Sequence, residues 1–454
     1  MVWGLGVEDM IPRVEFGIGK VTRFYIPLLL QAFSQSLTYP LVAGIVTHGS
    51  YGVNALTAFS QGQMIMFLIG AFGGGLVMTG MVFATSRGGY LNYRRLNTWM
   101  MIGLLILQCV PAIHPLDKLI FEGFFALPPE LAQLARWTLV LGVVMNGSFF
   151  LRNVPMVVLF NNLQSGKANI ATFVRILVTL VCAAVLPRYG LVGAYWGLAA
   201  LTLGCVIEWF ITWCFARPYV KDLMEEASEE DVVETVGAQF HFTLPLALGG
   251  FLLMISPLII AAFVGRTENA ADMLAIHYVT IGVANPVAYA ALRMQAVSIE
   301  FPPAHQGDRR LLWYALGAGA VLGLIPFLFS LPVVGDWYFG EYQNVPERLV
   351  GTARLAIFIY SFICLIHVVR GRIEGIAAVR KRPDAVMAGQ VAYTAALFAT
   401  LAILFPLGVR GWVMAVAAIF VAPACALTAV YVALSYRVMW IVAHVKKERR
   451  RMRI

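Results

Sequence analysis

The sequence predicts an all-α polytopic membrane protein, with about twelve transmembrane helices in two six-helix bundles related by a pseudo-twofold axis. Three observations carry this prediction: the composition, the spacing of the apolar runs and an internal repeat. Of 454 residues, 60% are hydrophobic and only 13% charged, whereas a soluble domain carries about 25% charged residues. So few polar groups cannot cover a water-exposed surface of this size, and the solvent must be a bilayer. The same arithmetic excludes secreted disulfide scaffolds, collagen-like rods and disordered tails.

The formal charge of +9 does not gather into a basic face interleaved with aromatics, so no nucleic-acid partner is expected. Cys109, Cys182, Cys205, Cys214, Cys364 and Cys425 all fall inside apolar runs without CxxC or metal-ligand spacing. They read as small hydrophobes, and no metal or cofactor is expected. The opening MVWGLGVEDMIPRVEFG carries acids before the first long apolar run, unlike a cleavable signal peptide with its basic start. It is expected to be retained on the inner side.

An α-helical span needs about 20 mostly apolar residues. In order, the first span, 24–47, opens on Pro27 and carries Gln31 and Gln35, and the second, 56–85, contains Gly70, Gly73, Gly74 and Gly75. The third covers 96–115, the fourth, 133–162, holds Arg152 and Asn153, the fifth, 168–187, holds Arg175, and the sixth, 189–216, holds Glu208. A polar connection, KDLMEEASEEDVVETVGAQ at 221–239, then divides the spans. Its acids lack the ligand spacing of a calcium loop, so it reads as a solvated linker helix. The seventh span, 241–265, opens on Pro245, and the eighth, 272–301, contains Asn285-Pro286, Arg293 and Glu300. The ninth is 311–333, the tenth, 347–379, holds His367, Arg370, Arg372 and Glu374, and the last two are 384–405 and 410–444. The domains are thus an N-terminal bundle at 1–216, a cytoplasmic acidic linker at 217–240, a C-terminal bundle at 241–445 and a basic tail at 446–454.

Basic loop residues set the orientation of such a chain. Arg87, Arg94 and Arg95, Lys167, Arg217 and Lys221, Arg309 and Arg310, Arg380 to Arg382 and the tail KKERRRMRI fall on one side. The opposite loops hold mostly single cations, Lys118, Arg188, Arg266, Arg348 and Arg410. Both termini are expected in the cytoplasm, of a plasma or bacterial inner membrane.

The repeat is the most informative feature, because transporters are often built from repeated halves. Pro27 and Pro245 open the two halves, and 245 less 27 is 218. The same offset carries Arg152 onto Arg370, Gly190 onto Gly408 and Gly193 onto Gly411. YGLVGAYWG at 189–197 lies over LGVRGWVMA at 407–415, and TYPLVAGIV at 38–46 over ISPLIIAAFV at 255–264 with a small shift.

A charge at the bilayer centre costs about 2.5–3.5 kcal/mol even on insertion scales, so each one requires a wet cavity or a partner. His367, Arg370 and Glu374 sit at i, i+3 and i+7 on one face of the tenth span. Two readings stand: a self-neutralising Arg370–Glu374 pair, or a stripe that lines a cavity and binds or gates substrate. Arg372 points elsewhere on that helix and is suited to charge pairing or to snorkelling. Arg293 and Glu300 share a face beyond Pro286, which can bend the helix; Glu300 suits an interfacial salt bridge or gating, and Arg293, deeper, suits substrate. Arg152 and Arg370, paired by the repeat, offer planar forks of donors to carboxylate or phosphate, or else mark the cytoplasmic ends of their spans and bind lipid phosphate. Asn153, Gln31 and Gln35 are neutral companions, for substrate or for bonds between helices. His277 suits packing or proton coupling. The glycines at 70–75 allow close helix approach. No phosphate-binding GxxxxGK[ST] loop, no HExxH and no nucleophile with its base is found, so no enzyme is expected.

Five stretches, RFYIPLLLQAF at 23–33, GMVFATSRG at 80–88, FTLPLALGGFLLMISPLIIAAFVGR at 242–266, VVRGRIEGIAAVRKRP at 368–383 and LGVRGWVMAV at 407–416, resemble the progressive ankylosis (ANK) protein family. That family lies within the multidrug/oligosaccharidyl-lipid/polysaccharide (MOP) exporter superfamily. The resemblance spans most of the chain and implies a MATE-like fold of two six-helix bundles around a central cavity, with export of pyrophosphate, nucleotides such as ATP, or citrate-like polycarboxylates. The family's tenth-span arginine and glycine land on Arg370 and Gly375. This chain departs in having Arg293 before Glu300, and in placing Arg372 and Glu374 where the family has other polar residues.

The expected function is secondary active transport by alternating access, exporting a small organic or phosphorylated anion through an Arg-lined cavity. The expected partners are that anion, membrane lipid and a coupling proton or sodium ion, and the chain is expected to be a monomer. The alternatives are a cation-coupled multidrug exporter and a lipid-linked sugar flippase of the same superfamily.

Overall fold

Backbone groups in hydrocarbon must satisfy their own hydrogen bonds, and helices do so here; no strand occurs among the described residues. The computed structural model describes residues 15–125, 127–225, 234–305, 308–343 and 345–451, leaving aside the side chains at 34–40, 53, 271 and 436–451. The centre of the acidic linker and the side chains of the basic tail therefore lie outside the described residues.

The elements are α1 (Ile18–Thr47), α2 (Gly52–Gly70), a 3-10 turn (Ala71–Gly73), α3 (Gly75–Phe83), α4 (Arg87–Cys109), a π-helical turn (Lys118–Phe124), α5 (Pro129–Asn161), α6 (Ser165–Val185) and α7 (Ala194–Glu225). Then follow α8 (Val236–Val264), α9 (Ala270–Leu292), α10 (Met294–Glu300), α11 (Arg310–Leu328), the single turn α12 (Pro332–Gly335), a second π-helical turn (Asp336–Tyr342), α13 (Glu347–Tyr360), α14 (Ile363–Val379), α15 (Pro383–Leu404) and α16 (Gly411–Arg451). Among the described residues, 10 helical stretches are long and apolar enough to cross a membrane. Of the remaining elements, α1 has 30 residues and α4 has 23, the latter opening on Arg87, Arg94 and Arg95, which dilute its apolar content. Each of the expected segments falls on one of these stretches.

Three expected spans are interrupted. The second breaks at Gly70–Gly75, where a side chain at Gly73 would strike the Phe150 ring and a Cβ at Gly75 would come within 2.7 Å of Leu246 Cβ. Lipid supplies no hydrophobic drive between helices, so close approach through small residues is what holds them. The eighth breaks at Arg293, between α9 and α10. Pro286 lies inside α9, ahead of this break. The tenth breaks between Tyr360 and Ile363.

Contacts divide the chain into two compact units, Ile26–Phe251 and Leu252–Ile454 with the residues up to Tyr25. In the first, α5 is the central helix and packs on α2, α3, α4 and α7. In the second, α14 holds that place, against α9, α10, α11 and α16. The 218-residue offset recurs in the element boundaries: it carries Lys118–Phe124 onto Asp336–Tyr342, Pro129 onto Glu347 and Ser165 onto Pro383. Gly190 and Gly408, matched by the same offset, are both left-handed, at φ 71° and 66°. Only glycine adopts that conformation without a steric cost.

Gly371 and Gly375, one turn apart on α14, seat this helix on the α9–α10 junction. A Cβ on Gly375 would strike the Gln295 carbonyl oxygen, and one on Gly371 would lie 2.9 Å from that of Leu292. Gly375→Ala is therefore expected to cost about 1–3 kcal/mol through overpacking, read as a lowered thermal midpoint in detergent. Gly103→Ala, where nothing lies within 4 Å, should be neutral or mildly stabilising; equal midpoints for the two variants would contradict this packing.

Candidate functional site

In the first unit, α5, α6 and α7 converge on one carboxylate. Glu208 on α7 is 1% exposed and meets two cations. Arg175 Nη1 of α6 donates to its Oε2 at 3.0 Å, and Arg152 Nη1 of α5 stands 2.8 Å from its Oε1. The Thr172 hydroxyl donates to the same Oε1 at 2.6 Å, and Gln31 Nε2 of α1 donates to the Thr172 hydroxyl at 3.2 Å. Phe149 lies beneath both guanidiniums, its ring centroid 4.9 Å from Arg152 Cζ and 5.9 Å from Arg175 Cζ.

The two ion pairs differ in kind. Arg175 is aligned with its oxygen, whereas Arg152 Nη1 and Nε have no aligned acceptor although Arg152 is only 7% exposed. Arg152 thus pairs with the carboxylate at 2.8 Å but at a poorer angle than Arg175, and its Nε is left without an acceptor among the described residues. With two guanidiniums against one carboxylate, this buried cluster has a formal excess of one positive charge. Asn153 is buried beside Arg152 on α5.

In the second unit, Arg370 on α14 is 1% exposed. Its Nε donates to Glu374 Oε1 at 2.8 Å and its Nη2 to Gln390 Oε1 of α15 at 2.7 Å. Gln390 Nε2 closes the triangle by donating to Glu374 Oε1 at 3.3 Å, and Gln295 of α10 reaches Glu374 Oε2 at 3.5 Å. The Tyr393 ring lies 5.2 Å from Arg370 Cζ. Arg370 thus pairs with Glu374, and it also lines a cavity of about 100 Å³ together with His277, Asn285, Tyr289, Tyr360, His367 and Tyr393.

The sequence-predicted residues divide as follows. Arg152 and Gln31 join one polar cluster, and Arg370, His367 and Glu374 another, with His367 Nδ1 3.1 Å from the Ile363 carbonyl oxygen. Glu374 is not in the cavity wall. Arg293 is half-buried where α9 gives way to α10, Glu300 is buried at the end of α10, and Arg372 is half-buried on α14; none of the three lines the cavity. The Gln35 side chain lies outside the described residues. Thr172, Gln390, Tyr360 and Tyr393 were not anticipated. A signal for two of them was present: the 218-residue offset that pairs the arginines carries Thr172 onto Gln390 and Arg175 onto Tyr393.

No family model matches the sequence, and no curated protein does. Solved structures do. A MOP superfamily transporter from Pyrococcus furiosus, described as having a binding pocket of reverse polarity, matches with a TM-score of 0.70 and 17% identity, covering 95% of this chain and 98% of that one. The eukaryotic MATE transporter AtDTX14 matches at 0.68 and 13%, over 92% and 95% of the two chains. The Vibrio cholerae MATE transporter VcmN in its bent form matches at 0.66 and 12%, over 93% and 98%. Identities this low establish the fold: an all-helical, multi-pass membrane protein of the two-lobed MATE and MOP architecture.

The charge arithmetic of the first unit makes a prediction. Glu208→Gln leaves two buried guanidiniums uncompensated, which is expected to cost about 3–5 kcal/mol. Arg152→Gln leaves a one-to-one Arg175–Glu208 pair and should fold nearly as well as the parent. Thermal midpoints of the purified variants in detergent check the order, and a larger loss for Arg152→Gln would refute it.

Proposed function

We propose that this protein is a secondary active transporter that exports a small organic or phosphorylated anion, such as citrate, pyrophosphate or a nucleotide, by alternating access. Both termini would be cytoplasmic. Within the first unit, Arg152, Asn153, Gln31 and Gln35 would be the anion-binding residues; within the second, taken by itself, the candidates are Arg293, His367, Arg370 and Glu374, with Glu300 and Arg372 pairing charge. A coupling proton or sodium ion would accompany transport, and the chain would perform no enzymatic step. The fold shared with MATE and MOP superfamily transporters supports this reading.

The observation that carries it is the excess of one guanidinium over carboxylate around Glu208. A buried donor without an aligned acceptor is costly, and an anion meets that need with charge as well as with hydrogen bonds. The cation-coupled multidrug alternative asks instead for a buried carboxylate that is free to bind a cation. In the first unit Glu208 offers none, since Arg152 stands 2.8 Å from Oε1, Thr172 donates to that same oxygen and Arg175 donates to Oε2.

Proteoliposomes loaded with labelled citrate, pyrophosphate or ATP test the proposal. The parent protein should release at least one of these down its gradient, and Arg152→Gln should slow the initial rate at least tenfold while eluting as a monodisperse species with an unchanged thermal midpoint. Transport of a cationic dye with no anion flux would overturn the reading in favour of the multidrug alternative.

A further inference from the structure

The second unit contains a chemistry that the charge excess around Glu208 does not explain. The wall of its cavity is rich in donors and holds no carboxylate, although it is buried among apolar helices. Two of its polar groups have no hydrogen-bond partner among the described residues: His277 Nδ1 and the Tyr360 hydroxyl. Their residues are only 3% and 1% exposed. Buried polar groups are normally bonded, so two orphans on one cavity wall indicate an occupant.

Size and sign narrow what that occupant is. A dry cavity of about 150 Å³ takes benzene, so about 100 Å³ suits a solute of a few heavy atoms and excludes an intact nucleotide. Arg370 spends Nε on Glu374 and Nη2 on Gln390, which locks its plane and leaves Nη1 outside both bonds. A guanidinium on the wall opposes a metal cation. Water would answer the orphan groups and the guanidinium with a dipole alone, whereas an oxyanion answers them with charge as well; Glu374, which balances Arg370, bonds it from outside the cavity wall.

We propose that this cavity binds one compact oxyanion, a carboxylate or phosphate group, held by Arg370 Nη1, the Tyr360 hydroxyl and the His277 ring, with Asn285 beside them. Its part in export rests on the transport reading above; the binding does not. Tyr360 closes α13 and Arg370 lies on α14, so the anion ties together the two halves of the broken tenth span.

Purified full-length protein in detergent is titrated with sodium acetate and with sodium phosphate, at ionic strength held constant by sodium gluconate, which is too large for the cavity. Saturable stabilisation against heat is expected with either or both small anions, and it should be independent of replacing sodium by potassium. Tyr360→Phe removes a hydroxyl that has no partner without them, so the anion-free thermal midpoint should stay level or rise while the apparent Kd weakens about tenfold. Arg370→Gln combined with Glu374→Gln, which removes the charge while keeping amide hydrogen bonds, should abolish saturation. No saturation with either anion, an unchanged Kd in Tyr360→Phe, or stabilisation that follows the cation would each overturn the site. Saturable, Tyr360-dependent binding without flux from vesicles would leave the site standing and remove the transport reading; flux without such binding would do the reverse.

Discussion

A charge buried in hydrocarbon must be answered by another group, and the way each unit answers its arginine sets the rest of its structure. In the first unit the answer comes from a distance in sequence. Arg152, Arg175 and Glu208 belong to α5, α6 and α7, so the carboxylate works as a pin through three helices. Thr172 and Gln31 extend the network to α1. Helices in lipid gain little from apolar contact with one another, which makes such a polar junction a determinant of which helices stand together. In the second unit the answer is local: Glu374 lies one turn beyond Arg370 on the same helix, and the outside partner is the neutral Gln390.

The repeat has kept the scaffold and changed the chemistry. At matching positions, 218 residues apart, Arg152 and Arg370 both stand on the central helix of their units, and Thr172 and Gln390 both face them from the next helix. Beyond that the halves diverge: Arg175 corresponds to Tyr393, Phe149 to His367 and Glu208 to Ala426. Where the first unit has a second cation the other has an aromatic ring, and where the first has its carboxylate the other has a methyl group. Tyr393, at the position of Arg175, and His367, at that of Phe149, both line the polar, aromatic-walled space beside Arg370.

The fold was largely legible because bilayer thickness sets a length that sequence can be measured against, and because the repeat gives two independent views of each element. Gly190 and Gly408 were matched from sequence alone and share a left-handed backbone. The breaks were less legible. Pro286 lies inside α9 and the break falls beyond it, at Arg293, where Gly371 and Gly375 seat α14 against the junction. In the sites, the charged residues could be found, since each is conspicuous in an apolar run. Their partners could not. Nothing in sequence distance connects Arg152 to Glu208, and tyrosines such as Tyr360 are too common among apolar residues to be noticed before a cavity places them together.

On the anion reading, the asymmetry between the units supplies a reason for a carrier to close only around its cargo. An empty first unit holds a buried net positive charge, which is least costly while water can reach it and most costly when the site is sealed from both sides. An anionic group of the cargo that enters this cluster offsets the excess before sealing, so on that reading the loaded form would cross the occluded state with the smaller electrostatic penalty in this unit. The second unit, with Arg370 balanced by Glu374, carries no such excess of charge. On that reading it is the charged first unit, and not the balanced second, that would supply the electrostatic gate.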